Sequence, residues 1–264
     1  MANGKNGLNR LRSFYEEEYP RVCGITGIPK DDDFTYSQVL HELKPYASEG
    51  VRVLDLGCNV GNLSLYMANL GCCVTGIDLA RNAVATAVAS AKHVGINAEF
   101  TACDFMTEWN ETDTFDLVFC SHVIEHIPED EQFLKKIYSA TKLGGHLILI
   151  VPSSYSTLAK ISKMILGRFP FDEEVGHLRR YNVQQLEAIV RRAGYTINRI
   201  SFMDGILRDW VYQCKFLHPL HFVLGRRYIR SIFNATDSLL ANLCCPSSIC
   251  IHAIKRKEDR QPYE

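Results

Sequence analysis

The stretch from Val51 to Ser64, VRVLDLGCNVGNLS, constrains the fold more than any other part of the chain. It has the pattern of a buried apolar strand that runs into a glycine turn and then into a helix. Gly57 and Gly61 can adopt backbone angles that other residues resist, and without a Cβ they let a ligand lie against the main chain. The free N–H groups of the following helix point to the same place. The stretch therefore predicts a ligand site at a strand–helix junction.

Carboxylates close three successive strand-like segments of the chain. Asp55 ends the first, Asp78 ends the second, and Asp104, followed by Phe105, ends the third. Asp55 alone could equally be a helix cap, but an acid about twenty residues after a glycine turn is placed to accept both hydroxyls of a ribose. Because ligands of open α/β sheets bind outside the carboxyl ends of the strands, we expect the acids to share one site.

Candidate bases follow the fourth strand, in the segment Ser121-His-Val-Ile-Glu-His126. On a helix or turn that starts near Ser121, His122 and His126 are four residues apart and share a face, while Glu125 points elsewhere. Histidine titrates near neutral pH, which suits a general base. His177, in EVGHLRRY, is a further candidate. Each of these side chains could instead serve only as a structural hydrogen-bond partner.

Five segments in this order, VLDLGCNVGNLS, GIDLA, ACDF, FDLVFCSHVIEHIPE and LGGHLILIVP, closely resemble the signature of class I S-adenosylmethionine-dependent methyltransferases. The resemblance is strong from Val51 to Pro152 and weaker from Gly176 to Tyr195. The VIEHIP and GHLRRY segments look like the small-molecule branch that includes ubiquinone-type O-methyltransferases. The family usually has glycine at the position of Asn59, but asparagine tolerates the left-handed conformation, so we expect the turn to survive.

The resemblance implies S-adenosyl-L-methionine as the cofactor and a small molecule as the methyl acceptor, more readily at a hydroxyl oxygen than at nitrogen. N-methylation and a non-catalytic cofactor-binding module remain alternatives. The residues expected to bind the cofactor are Asp55, Gly57, Cys58, Asn59, Gly61, Asn62, Asp78, Leu79, Asp104, Phe105, Ser121 and His122. The catalytic candidates are His122, Glu125, His126 and His177, and the family places a Glu-His pair near the methyl group in some N-methyltransferases.

A nicotinamide dehydrogenase is the nearest rival, and the glycine turn argues against it. A dinucleotide site needs G-x-G-x-x-G, whose middle glycine lets the backbone meet a pyrophosphate. This chain has Gly57-x-x-x-Gly61 instead, with Asn59 between. Asp55 would repel a pyrophosphate, whereas it attracts the ammonium group of an amino-acid tail. The turn favours S-adenosylmethionine.

Alternating strand and helix patterns predict a doubly wound α/β fold with a seven-stranded, mostly parallel sheet, N-terminal helices and a helical insertion before the last strand. Residues 1–50 are expected to form a helical lid, with helices over Leu8 to Tyr19 and Phe34 to Tyr46. Residues 51–203 and 248–257 form the Rossmann-like core. Residues 153–181 and 204–247 are substrate-lid or dimerisation insertions. Within the core we expect a turn at Gly144-Gly145, a capping box from Asn182 to Gln185 and an antiparallel last strand.

Composition limits the possible partners. A net charge of -1 and a pI near 6.7 give no reason to expect nucleic-acid binding. The amino terminus lacks a signal peptide's apolar core and no run reaches membrane-spanning length, so a cytoplasmic location is expected. None of the ten cysteines shows C-x-x-C spacing, and no metal site is predicted. The second insertion mixes aromatic and basic residues, which suits a substrate lid or a homodimer face better than contact with a membrane surface.

Overall fold

The computed structural model describes residues 24–213, 227–243 and 246–256. Seven strands form one sheet in these parts of the chain. They are β1 (Arg52–Leu56), β2 (Cys73–Asp78), β3 (Glu99–Ala102), β4 (Phe115–Ser121), β5 (Thr141–Pro152), β6 (Thr196–Met203) and β7 (Ser248–Ile254). The strand order is β3-β2-β1-β4-β5-β7-β6, and β7 alone among them runs antiparallel to its neighbours. The predicted doubly wound, mostly parallel sheet with an antiparallel last strand is confirmed.

Helices alternate with these strands along the described chain. They are α1 (Ser37–Leu43), α2 (Asn62–Asn69), α3 (Arg81–Val94), α4 (Asp130–Ala140), α5 (Thr157–Leu166), α6 (Pro170–Val175), α7 (Val183–Arg192), α8 (Ile206–Gln213) and α9 (Arg227–Leu243). Short 3-10 turns cover Lys44–Tyr46 and Ile124–His126. No helix of the described residues is long and apolar enough to cross a membrane.

Apolar residues on both faces of the sheet form the core. In β1, Leu54 and Leu56 belong to one cluster and Val53 to another, because successive side chains of a strand point to opposite faces. Helices α4 and α7 bury their apolar stripes against the first cluster, while α1 and α2 cover the second. Burial on both faces explains why the central strands are apolar runs rather than alternating sequences.

Strand β5 is longer than the sequence predicts, and this corrects the expected turn at Gly144-Gly145. The strand begins at Thr141, which pairs with Phe115, whereas Leu117 pairs with His146. The intervening residues therefore bulge from the ladder inside the strand. Gly144 has a φ of 81°, and a Cβ on Gly145 would lie 2.8 Å from the carbonyl oxygen of Lys142. Two glycines accordingly permit the bulge instead of ending the strand.

Two local predictions have different outcomes. The capping box at α7 is confirmed, since the Asn182 side chain accepts a hydrogen bond from the Gln185 amide at 2.8 Å and the Gln185 side chain accepts one from the Asn182 amide at 3.2 Å. The helix expected over Phe34 to Tyr46 is shorter and ends in a 3-10 turn. The helix expected over Leu8 to Tyr19 lies outside the described residues.

Candidate active site

A cavity of about 640 Å³ opens at the carboxyl edge of the parallel strands. Its lining includes most of the predicted cofactor residues, namely Asp55, Gly57, Cys58, Asn59, Asn62, Asp78, Leu79, Asp104, Phe105, Ser121 and His122. His126 and His177 line it as well. Gly61 and Glu125 are not part of the lining. The tertiary structure thus gathers residues from the ends of four strands around one space, as the strand order requires.

The glycine turn after β1 has the predicted left-handed backbone. Gly57, Asn59 and Gly61 have φ values of 78°, 50° and 85°. A Cβ on Gly57 would lie 2.2 Å from a methyl carbon of Val123, and one on Gly61 would meet Phe100 at 3.0 Å. Asn59 therefore keeps the turn without glycine, and Gly61 is required for packing between the turn and the sheet.

Asp55 is a buried carboxyl group beneath this turn. Its side chain accepts a hydrogen bond from the Ser64 hydroxyl at 2.5 Å, and only 2 % of the residue is exposed. Burial raises the pKa of Asp55 to about 7, which the Ser64 hydrogen bond partly offsets and the charge of Asp78 reinforces. A cationic ligand group beside Asp55 would supply the charge partner that the protein does not provide.

Asp78 is held by two backbone amides. The Asn59 N–H donates to one carboxylate oxygen and the Ala80 N–H to the other, both at 2.9 Å. Burial nevertheless raises the pKa of Asp78, against the effect of these amides. The Leu79 amide also acts on this carboxylate, which has about four acceptor positions in all and so keeps room for a further donor. The side-chain oxygen of Asn59 is buried without a hydrogen-bond partner. These groups fit the ribose and amino-acid tail of S-adenosylmethionine.

The space beyond β3 is mainly apolar. Asp104 accepts hydrogen bonds from the Met106 amide at 2.8 Å and from the Thr107 hydroxyl at 2.9 Å, so it stabilises its own turn. Phe105 follows, and its ring meets that of Phe133 edge-on with centroids 5.6 Å apart. Apolar side chains that line this part of the cavity are Phe105, Met106, Ile127 and Phe133. Such a surface suits a purine ring.

The segment after β4 is a turn, one of the two forms expected for it, and not a helix. His122 has a φ of 56°, and only Ile124–His126 form a 3-10 turn. In consequence His122 Nδ1 lies 3.3 Å from Glu125 Oε1, and the two histidines do not share a helical face. His122 lines the cavity, and its side chain is 42 % exposed. Burial tends to lower the pKa of His122, but bonding to the Glu125 carboxylate outweighs it and the pKa is raised.

Glu125 lies underneath the histidines and is fully buried. Burial would raise its pKa, yet the hydrogen bond and charge of His122 hold the pKa below its ordinary value. Its Oε1 atom is also 3.7 Å from His177 Nε2, and its Oε2 atom has no hydrogen-bond partner. An ionised Glu125 is thus placed to stabilise a protonated His122.

His126 and His177 are tied to the insertion that contains α5 and α6. His126 Nδ1 lies 3.1 Å from the Gly176 carbonyl oxygen, and burial lowers the pKa of His126. His177 Nδ1 lies 2.7 Å from Asp172, whose carboxylate also accepts two hydrogen bonds from Arg180. All four catalytic candidates therefore come together, and His122 has the most exposed ring among the three histidines at the site.

Donor atoms of Glu125, His126 and His177 lie within 4.8 Å of one another, close enough in principle for a metal ion. A second such group, Glu42, Cys250 and His252, lies in the hydrogen-bond network beneath α1. The absence of a metal stays a prediction of the sequence.

Several lining residues were missed in the sequence. They are Thr35, Tyr36, Arg180, Asp204, Asp209, Ser247 and Ser248. Asp204 directly follows β6, so the rule applied to the first three strands, an acid at a strand end, would have found it. Tyr36 precedes α1, and its hydroxyl accepts a hydrogen bond from the Asn62 side chain at 2.7 Å. No motif marks that tyrosine.

Comparison with known proteins agrees with this geometry. Residues 31–199 match the family described as a methyltransferase domain. A ubiquinone biosynthesis O-methyltransferase of Xanthomonas axonopodis pv. citri is 30% identical over 208 residues, which cover 72% of this chain and 85% of that protein. The enzyme of the same description from Glaesserella parasuis is 37% identical over 122 residues, and the match spans half of its length.

Solved structures share the fold. Magnesium protoporphyrin IX methyltransferase from Synechocystis PCC 6803, with bound SAH, has a TM-score of 0.65 at 19% identity, over 95% of this chain and 100% of that one. Phosphoethanolamine N-methyltransferase 2 of Haemonchus contortus, in complex with S-adenosyl-L-methionine, has a TM-score of 0.63 at 21% identity, over 94% and 60%. With the extended family match and the cavity described above, the chain belongs to the class I S-adenosylmethionine-dependent methyltransferases, in their small-molecule branch.

Proposed function

We propose that the protein transfers a methyl group from S-adenosylmethionine to a hydroxyl oxygen of a small molecule, with His122 as the general base. The observation that carries this proposal is the pair formed by His122 and Glu125. The histidine ring lines the cavity, and its Nδ1 lies 3.3 Å from a buried carboxylate. A neutral imidazole so oriented presents Nε2 as the free acceptor for a proton.

The residues along the cavity have different roles in the proposed reaction. When bound, the cofactor supplies an activated methyl group on a sulfonium. The Asp55 carboxylate attracts the ammonium group and Asp78 accepts the ribose hydroxyls. His122 removes the acceptor's proton as the oxygen attacks, and Glu125 stabilises the imidazolium that forms. The walls of the cavity hold the reacting atoms in line and limit their contact with water.

An oxygen acceptor is favoured over nitrogen because of the base. A neutral hydroxyl group holds its proton tightly at neutral pH, whereas an amine need only arrive unprotonated. A histidine backed by a buried carboxylate is therefore of most use to a hydroxyl acceptor. The similarity to ubiquinone biosynthesis O-methyltransferases supports the same choice. The insertion over residues 153–181 supplies Asp172, His177 and Arg180 beside the base, which suits its proposed role as a substrate lid.

The test combines an acceptor panel with a histidine variant. Purified protein is incubated with S-adenosylmethionine and phenols, sugars or primary amines, and S-adenosylhomocysteine is measured by mass spectrometry. We expect release with hydroxyl acceptors. His122→Gln should lower turnover by about 10²–10⁴-fold while cofactor affinity changes by less than about tenfold. The matched control is His93→Gln, an exposed histidine on α3, which should change neither quantity.

Three results would contradict the proposal in different ways. Turnover of amines alone would establish N-methylation. Tight cofactor binding without S-adenosylhomocysteine from any acceptor would indicate a non-catalytic binding module. If His122→Gln reduced cofactor affinity and turnover equally, His122 would stabilise the cofactor loop and would not act as a base.

A further inference from the structure

Four polar residues line the part of the cavity that neither the cofactor nor the base accounts for. Asp204 follows β6, Asp209 lies on α8, and Ser247 and Ser248 stand at the start of β7. Strands β5 and β7 separate β4 from β6, and three interstrand spacings of about 4.8 Å put the backbones of β4 and β6 about 14 Å apart. Asp204 therefore lies at the far end of the cavity from His122, and Ser247 and Ser248 lie one strand nearer to it.

Asp204 is held in place by the insertion over residues 204–247. Arg208 and Asp237, both fully buried, form an ion pair at 3.3 Å between α8 and α9. The Asp237 carboxylate also accepts hydrogen bonds from the amides of Gly205 and Arg208, each at 2.9 Å. A Cβ on Gly205 would lie 2.3 Å from the Asp237 carbonyl oxygen, so this approach requires glycine. Helices α8 and α9 are thus joined beside β6 and position Asp204, which precedes α8.

The hydrogen-bond directions at this end define what can bind. Ser248 donates its hydroxyl proton to Asp204 at 2.8 Å, and Ser247 donates its own to Asp209 at 2.5 Å. Each serine has one donor, so these bonds use it. The Ser156 hydroxyl also donates to Asp209, at 2.9 Å, so the acceptors left for a ligand are the serine oxygens and the Asp204 carboxylate. A ligand group here must supply the protons. Hydroxyl and ammonium groups meet that condition, whereas carboxylates do not. The Arg208 guanidinium 3.6 Å from Asp204 already offsets part of its charge, which favours a neutral hydroxyl group over an ammonium group.

The nearby cations are already engaged. Arg180 lines the cavity, but its guanidinium binds the Asp172 carboxylate and the Ser153 carbonyl oxygen. Arg208 pairs with Asp237, and its Nε atom stands 3.6 Å from Asp204. The negative charge of Asp204 also contributes to the raised pKa of His122. An anionic acceptor would therefore meet a carboxylate without a free cation among the described lining residues.

We propose that Asp204 and Ser248, with Asp209 and Ser247, form the acceptor subsite and select a neutral, polyhydroxylated acceptor such as a sugar. Asp204 is the specificity-determining residue of this set. The role rests on the proposed function, since it takes the acceptor to lie across this cavity. Binding of the acceptor is nevertheless measurable apart from methyl transfer.

The experiment compares three six-membered rings on the full-length protein saturated with S-adenosylhomocysteine. D-glucose is neutral and hydroxyl-rich, D-glucuronate adds an anionic group to the same ring, and cyclohexanemethanol keeps one hydroxyl. Saturation-transfer NMR and calorimetry give their affinities. We expect glucose to bind about tenfold or more tightly than glucuronate, and more tightly than cyclohexanemethanol.

Asp204→Asn removes the charge and suits the left-handed backbone at this position, where φ is 53°. It should reduce the preference for glucose over glucuronate to about threefold or less, without changing cofactor affinity. Ser248→Ala should weaken glucose binding through loss of the hydroxyl next to Asp204. Asp113→Asn, the same substitution at an exposed left-handed position that pairs with Lys255, where φ is 47°, is the matched control and should leave the preference intact.

Three outcomes would overturn the subsite. One is glucuronate or cyclohexanemethanol binding as tightly as glucose. Another is an unchanged preference in a folded Asp204→Asn variant, with folding checked by its melting temperature. The last is no binding of glucose at about 50 mM, where even a weak ligand of this size occupies its site. None of these outcomes would affect the assignment of His122 or of the methyl donor.

Discussion

Replacing Asp55 by asparagine should stabilise the protein while weakening its hold on the cofactor. The carboxyl group is 2 % exposed, and burial raises its pKa to about 7 from an ordinary value near 3.8. The folded protein therefore binds this proton more tightly than the unfolded chain does. Stability is lost as the pH rises from about 4, where the unfolded group ionises, to about 7, where the folded group ionises.

The size of the effect follows from the pKa difference. At about 1.4 kcal/mol per pKa unit, Asp55 lowers the free energy of unfolding by about 4 kcal/mol at pH 8, where the folded carboxyl is ionised, and by about 1.5 kcal/mol at pH 5, where folding must protonate it. Asparagine is neutral at both pH values, and its side-chain oxygen can still accept the Ser64 hydrogen bond. The gain in unfolding free energy from Asp55→Asn should therefore be larger at pH 8 by about 2.5 kcal/mol.

Urea denaturation of the two proteins at both pH values measures this difference. Asp116→Asn is a useful control, because the pKa of Asp116 is lowered: its hydrogen bonds to Lys142 and to the Arg52 amide outweigh the effect of burial. That variant should lose stability at neutral pH, with the loss fading as the pH falls through the pKa of the folded carboxyl. The two substitutions thus have opposite expected signs for the same chemical change.

The same substitution should change how the protein binds its cofactor. If the ammonium group of S-adenosylmethionine pairs with the Asp55 carboxylate, binding lowers the pKa of Asp55 and releases a proton near pH 6. Calorimetry in buffers of different ionisation enthalpy counts that proton, which should be absent in Asp55→Asn. Equal stabilisation at pH 5 and pH 8, or an unchanged proton count in the variant, would refute the reasoning.

Substitutions at three further positions test the cofactor end. Asp78→Ala should weaken S-adenosylmethionine binding by about 1–3 kcal/mol, because the ribose hydroxyls lose a charged acceptor; unchanged affinity by calorimetry would place the ribose elsewhere. Gly57→Ala should cost about 1–3 kcal/mol of stability, since its Cβ would lie 2.2 Å from a carbon of Val123, and a melting temperature equal to that of the wild type would argue against so close an approach of Val123. Asn59→Ala should lose about 1 kcal/mol in urea denaturation, whereas Asn59→Gly should lose almost nothing, because φ is 50°.

Much of this structure could be predicted from local sequence patterns. The apolar runs, the left-handed turn at Asn59 and the capping box at Asn182 depend on neighbours in the chain, and each has the predicted form. The meeting of the cofactor residues at one edge of the sheet was also predictable from the sequence. Parallel strands bring their carboxyl ends to one edge, so Asp55 and Asp78 had to meet once the strand–helix alternation was recognised.

The acceptor end depended on contacts that no local pattern encodes. His122 and His177 both contact Glu125, and His177 does so from an insertion some fifty residues away. Asp204 took its place through a buried ion pair between Arg208 and Asp237. By itself the sequence determined the sheet, the cofactor edge and the class of chemistry, because these follow from periodicity and turn geometry. Only the tertiary structure decided which histidine has the most exposed ring in the cavity and which polar groups line its far end, because those depend on the packing of segments distant in the chain.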